Sequence, residues 1–209
     1  MMHPIGRREL WHAEATLLAA IVLQLAITSD LRIGSKYFIG ILEFILLLGI
    51  WLTAPRRHQT FGGINRTIAF LLIGLVSFAN GGALILLINA LINGSQIPGH
   101  DLLLSAGAIF LTNIIMFSLW FWELDSPGLS GHHRRQNEHF EFPQETAKIR
   151  DWEPTYFDYF YVSLTNSTAF SPTDTMPLTH IAKALMSVQA LISLLTVVLV
   201  TARAVNILS

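Results

Sequence analysis

Residues 67–91, TIAFLLIGLVSFANGGALILLINAL, contain no charged side chain. As a helix rising about 1.5 Å per residue, this run covers the ~30 Å hydrocarbon thickness of a bilayer. In water its apolar surface would have to be buried on every side, so the segment sets the solvent in which the chain folds. Four further stretches have the same character: about Leu10 to Thr28, Tyr37 to Thr53, Leu102 to Trp122 and Ile181 to Leu208. Charged residues make up 13% of the chain, against about a quarter in soluble domains, and the mean hydropathy is +0.52. The expected fold is all-α and integral to the membrane, with five transmembrane helices. The first stretch follows Arg7 and Arg8 as the apolar part of a signal peptide would. However, LQLAITSDL offers no A-x-A cleavage site, so the stretch reads as retained.

Composition excludes several function classes. A formal net charge of −1 and no basic stripe interleaved with aromatics argue against a nucleic-acid partner. With no cysteine there is no disulfide framework, thiolate chemistry or cysteine metal site. No glycine-rich phosphate loop, HExxH, GxSxG or internal repeat is present. No nucleophile–base pair or metal constellation stands out, so neither an enzyme nor a cofactor is expected.

Connections are short and turn-rich until the fourth apolar stretch ends. A long polar insert follows, about Leu124 to Glu153, within which PQETAKIRDW reads as a short surface helix. Lys and Arg near helix ends stay preferentially in the cytoplasm. With the N-terminus inside, ten basic residues are cytoplasmic (Arg7, Arg8, Arg56, Arg57, Arg66, Arg134, Arg135, Lys148, Arg150 and Lys183) and three are outside (Arg32, Lys36 and Arg203). The opposite orientation reverses the ratio. A multi-pass protein of the cell (inner) membrane with a cytoplasmic N-terminus is expected.

After the insert comes TYFDYFYVSLTNS, residues 155–167, long enough for about three helical turns and too short to span. Pro154 suits a first helical turn. A hydroxyl-rich stretch broken by Pro172 and Pro177 follows, and then the last apolar run. Non-helical backbone at membrane depth is tolerated only where protein buries it or it lines a water-filled cavity. A short helix, a polar descent and a return helix together describe a re-entrant pore loop.

These residues resemble the pore region of potassium channels, in which an aromatic pore helix leads into T-T-V-G-Y-G-D, two variable residues, P-x-T and the inner helix. Thr168 falls at a filter threonine, followed by Ala169, Phe170, Ser171, Pro172, Thr173 and Asp174, and Asp174, Pro177 and Thr179 match the closing D-x-x-P-x-T. The resemblance covers residues 101–209. It implies an outer helix over 102–122, a pore helix over 154–166, a filter-like loop over 167–177 and an inner helix over 178–208. Residues 1–100 then form an N-terminal three-helix region without an arginine-repeat voltage sensor. Ser171 and Thr173 replace both filter glycines, which alone reach the usual filter conformations cheaply. Hydroxyls of Thr168, Ser171 and Thr173 would therefore line such a pore together with carbonyls, with Asp174 at its mouth. The loop also faces the cytoplasm by the charge count, inverted relative to potassium channels. The chain is similar, too, to uncharacterised five-helix bacterial membrane proteins, through FEFP at 140–143 and YFDYFYVSLT at 156–165.

Each signal has a plainer alternative. The loop either conducts or plugs, and Asp174 either attracts cations or caps the next turn and pairs with His180 or Lys183. Glu43, near the middle of the second stretch, is either an ion or proton site or a packing residue meeting Gln24, Asn80 or Asn113. Asn80, beside Gly81 and Gly82, reads as close helix packing. His132, His133 and His139 either bind metal or sense pH, or are solvated; no metal site is assigned. The aromatics Trp120, Trp122, Trp152, Tyr156, Phe157, Tyr159, Phe160 and Tyr161 read as an interfacial belt and pore-helix packing. Ala182, Ser187, Ala190, Ser193 and Thr196 either line a pore or pack against a neighbour. The functional expectation is a homotetrameric channel for monovalent or divalent cations. The alternatives are a proton-coupled transporter using Glu43 and a non-conducting scaffold or sensor.

Overall fold

The computed structural model describes residues 7–31, 41, 45, 62–93, 97–125, 139–150, 152–169 and 174–208. In chain order these form α1 (Arg7–Ala26), a 3-10 turn (Ser29–Leu31), α2 (Gly62–Ile92), α3 (Gly99–Asp125), β1 (Phe140–Glu141), α4 (Pro143–Thr146), α5 (Tyr156–Thr168), β2 (Met176–Pro177) and α6 (His180–Leu208). Among the described residues, three helical stretches are long and apolar enough to cross a membrane: Thr67–Ile92, Gly99–Asp125 and His180–Arg203. They are compatible with a membrane location. The apolar part of α1 is shorter, Ala15–Ala26, because Arg7, Arg8, His12 and Glu14 occupy its first two turns.

α3 is the central helix, packed by α1, α2, α5 and α6. The polar bonds set their directions. Thr16 of α1 and Ser118 of α3 both meet the Tyr156 hydroxyl, at 2.8 and 2.9 Å, while the Thr28 N–H donates to Ser105 Oγ at 3.1 Å. α1 therefore runs antiparallel to α3. In α2, Ser77 accepts from Trp120 Nε1 at 3.0 Å and Asn80 Nδ2 donates to the Ile109 carbonyl at 3.1 Å, so α2 is antiparallel to α3 as well.

Both faces of α2 are apolar. Leu71, Phe78, Ile85 and Ile92 recur every seven residues along one face and are exposed, from 58% for Leu71 to 75% for Ile92. Ala69, Leu72, Ile73 and Val76 on the other face join a core with Leu17, Phe121, Trp122 and Tyr159. A helix that is apolar all round belongs in hydrocarbon or a deep core. In lipid, association rests on close packing and interhelical hydrogen bonds, because the acyl chains are as apolar as leucine.

β1 and β2 form a two-residue antiparallel ribbon, Phe140 opposite Pro177 and Glu141 opposite Met176. Leu178 N–H extends it by donating to the His139 carbonyl at 2.8 Å. The surface helix expected over PQETAKIRDW is short, ending at Thr146, and Lys148 turns the chain through a left-handed φ of 52°.

Candidate functional site

α5 begins two residues later than its sequence suggests, because Thr155 takes the cap. The Thr155 N–H and Oγ1 both donate to Asp158 Oδ2 at 2.7 Å. This satisfies an orphan donor and places a carboxylate at the positive end of the helix. Tyr159, one turn in, donates to Asp125 Oδ2 at 2.6 Å, at the end of α3. Another turn on, Ser163 Oγ donates to the Ile114 carbonyl at 2.6 Å. Asp125 and Ile114 are eleven residues apart, roughly 17 Å along a helix. The 13 residues of α5 therefore descend antiparallel to α3 and stop near its midpoint. By Met176 and Pro177 the chain is back beside Phe140, at the level from which α5 set out.

At the lower end of α5, the Gln189 side chain of α6 is fully buried and bonded at both of its atoms. Its Nε2 donates to the Ser163 carbonyl (2.9 Å), Ser163 Oγ (2.6 Å) and Ser167 Oγ (2.8 Å). Its Oε1 accepts from Asn166 Nδ2 at 2.9 Å, and that amide also donates to the Met186 carbonyl at 3.0 Å. Asn113 of α3 completes the network, its Nδ2 donating to Ser193 Oγ at 3.0 Å and approaching the Gln189 carbonyl at 3.4 Å. Three helices are thus tied together near the middle of α3 by hydrogen bonds between uncharged groups.

The filter-like residues divide. Thr168 and Ala169 are exposed at the end of α5; Thr168 Oγ1 donates to the Leu164 carbonyl at 2.8 Å and the Ala169 N–H caps onto the Thr165 carbonyl at 2.8 Å. Asp174 is exposed on the turn before β2, beside the buried Thr175. Phe170, Ser171, Pro172 and Thr173 lie outside the described residues, as does Glu43. The three partners considered for Glu43 have bonds of their own: Gln24 Nε2 donates to the Val76 carbonyl at 3.1 Å, Asn80 joins α2 to α3, and Asn113 joins α3 to α6. Asn80 Oδ1 and Thr112 Oγ1 are buried without a hydrogen-bond partner.

The polar stripe of α6 also divides. Ala182, Met186, Gln189, Ser193 and Thr196, spaced alternately by four and three, are buried against α3 and α5, whereas Ser187 is exposed and Ala190 half-buried. Of the aromatics, Trp122, Tyr156 and Tyr159 are core residues, and Phe157 and Tyr161 are exposed on the opposite face of α5. His139 is buried, with Nδ1 2.6 Å from Thr179 Oγ1; His132 and His133 lie outside the described residues. Among the described residues no cluster of three His, Asp or Glu could hold a metal ion. A cavity of about 470 Å³ lies at the other end of α3, lined by Thr28, Asp30, Asn89 and Asp101 among others, away from α5.

Sequence reasoning missed Gln189, Ser163, Asp125 and Tyr159 as parts of this site. The available signal was Gln189 itself, an amide inside an apolar run long enough to cross a membrane, where polar side chains face protein or water. No protein-family model, curated protein or solved structure matches the chain.

Proposed function

We propose that the chain is one subunit of a homotetrameric cation channel in which α5 is a re-entrant pore helix and residues 168–174 form an atypical filter-like loop. One observation carries the reading. α5 stops halfway down α3, bound there through Gln189, with Thr168 and Ala169 exposed at its end. Polar, non-helical backbone at that depth requires protein or water around it rather than lipid. A single copy leaves this end uncovered. Several copies around an axis would enclose it, and the likeness to potassium-channel pores favours four.

In that arrangement the C-terminal, partially negative ends of the α5 helices converge and stabilise a cation. Hydroxyls and carbonyls of 168–173 replace part of its hydration shell, and Asp174 raises the local cation concentration at the mouth. α3 serves as the outer helix and α6 as the inner one. The five-span topology gains support from direction: α1 and α2 both run from the Asp125 end of the bundle to the Asp101 end. The chain must therefore change ends between Leu31 and Gly62, which a span over 37–53 would accomplish. The start of α1 also shares an end with Lys148 and Lys183, consistent with a cytoplasmic face bearing both the N-terminus and the loop.

Cation flux through purified protein in liposomes tests the reading. Passive flux that falls or changes selectivity in Asp174→Asn is expected. No flux, under conditions where a control channel conducts, would replace the channel with a non-conducting scaffold on the same architecture.

A further inference from the structure

The lower half of α5 is held to α6 directly, through Gln189, whereas its upper half is joined to α6 by a relay. Asp125, the last residue of α3, is fully buried. Its Oδ2 accepts the Tyr159 hydroxyl at 2.6 Å and its Oδ1 accepts the His139 N–H at 2.5 Å. The His139 carbonyl accepts Leu178 N–H at 2.8 Å, and its Nδ1 lies 2.6 Å from Thr179 Oγ1. Thr179 caps α6, its Oγ1 accepting the Ala182 N–H at 3.3 Å and its carbonyl the Lys183 N–H at 3.0 Å. The path runs from α5 through Asp125, His139 and Thr179 into the first turn of α6.

We propose that Asp125 is a positioning residue for the filter-like loop: its carboxylate sets the height and tilt of α5 against the start of α6. Chemistry favours this assignment. A carboxylate accepts at both oxygens, so it holds two donors from different segments at fixed separation, which a carboxamide cannot do without turning an N–H towards one of them. Burying a carboxylate is costly, and apolar packing would stabilise the junction at less expense. The residues around it hold Tyr159 in the same place. Phe140 lies edge-on to its ring at 6.2 Å and Phe142 at 5.3 Å, and both come from the segment that carries His139. The two ends of the filter-like loop, the end of α5 and Asp174, thus share one anchor system with an upper and a lower point.

The functional consequence rests on the pore-loop reading; the positioning itself does not, and the test separates them. The chain has no cysteine, so spin labels can be placed at Tyr161→Cys and Val188→Cys, both exposed positions on α5 and α6, without altering other residues. Distances would be measured in labelled protein diluted with unlabelled protein, and potassium-to-sodium permeability ratios in separate unlabelled samples. Asp125→Asn and Tyr159→Phe are each expected to shift or broaden the 161–188 distance. Each should also change the permeability ratio by about threefold, the factor set by one interhelical hydrogen bond of average strength. Because both substitutions break the same Tyr159–Asp125 bond, the double variant should change the distance by less than the sum of the two single effects, the remainder being the His139 arm that only Asp125→Asn disturbs. Asp125→Glu, which keeps both acceptors, should retain most of the wild-type distance. An unchanged distance in both single variants, or changes that merely follow lost stability as in a Phe121→Leu packing control, would overturn the proposal. If Asp125→Asn fails to fold, Tyr159→Phe decides alone. If the wild type carries no flux, the distances still decide the positioning, and only the channel reading fails.

Discussion

Gln189 shows how much one buried amide can organise. A donor buried from solvent has nothing to bond except protein, so each bond from Gln189 to Ser163, Ser167 and Asn166 restrains the position of α5. Interhelical hydrogen bonds in membranes average only a few tenths of a kcal/mol to somewhat above 1 kcal/mol. Gln189→Met keeps the length of the side chain and removes all of them. It is expected to destabilise the protein by about 1–2 kcal/mol, the sum of such bonds less what Ser163 and Asn166 retain with Ile114 and Met186. Thermal unfolding in detergent measures this, and an unchanged midpoint would mean that the amide is not holding α5. The residue scale was the least legible from sequence. Asn80, Asn113 and Asp174 were noticeable because they interrupt apolar runs or follow a motif, but the partners of Asn80 and Asn113 lie 29 and 76 residues away, at Ile109 and Gln189, and no local pattern encodes such pairs.

At the scale of elements, α5 stands out because it is short. A helix of 13 residues is marginal on its own in water, so it depends on its cap and on the surfaces it meets. Asp158 receives both Thr155 donors, and Asp158→Ala is predicted to cost about 1 kcal/mol. The loss should appear as faster hydrogen exchange in the first turn of α5, while the amides around Ser163 stay protected; uniform acceleration along the helix would contradict a local capping role. The existence of α5 was readable from its length, its aromatic character and Pro154 ahead of it, and its bounds, 156–168, fall within two residues of those read from the sequence. Three of the five apolar stretches were readable as helices long and apolar enough to cross a membrane, with shifted ends: α3 begins at Gly99 rather than Leu102 and ends at Asp125 rather than Trp122. Those extra residues include the carboxylate that meets Tyr159. The β1–β2 ribbon was not readable, because two-residue strands carry no periodicity and pairing across 35 and 37 positions is decided by tertiary packing, here Phe140 of the ribbon against the rings of Phe121 and Tyr159.

For the molecule as a whole, the proposed topology predicts which surfaces each side of the membrane can reach. Lys148 and Asp30 are both exposed and belong to opposite ends of the bundle. With the N-terminus inside, Lys148→Cys should react with a membrane-impermeant thiol reagent only from the cytoplasmic face, and Asp30→Cys only from the outer face. Labelling of both from one side would refute the topology. That three helices are long and apolar enough to cross a bilayer follows from composition and run length alone, since hydrocarbon thickness sets the length and the absence of charge sets the eligibility. The sequence by itself therefore determined the helical class, the three helices eligible to cross a bilayer and the presence of a short polar-ended helix before the last long one. The tertiary structure decided which polar residues meet, how deep α5 descends, and which face of α6 packs. Those outcomes depend on hydrogen bonds and ring contacts between segments far apart in the chain, each chosen by the need to satisfy a buried donor or fill a gap, and that need exists only once the helices are side by side.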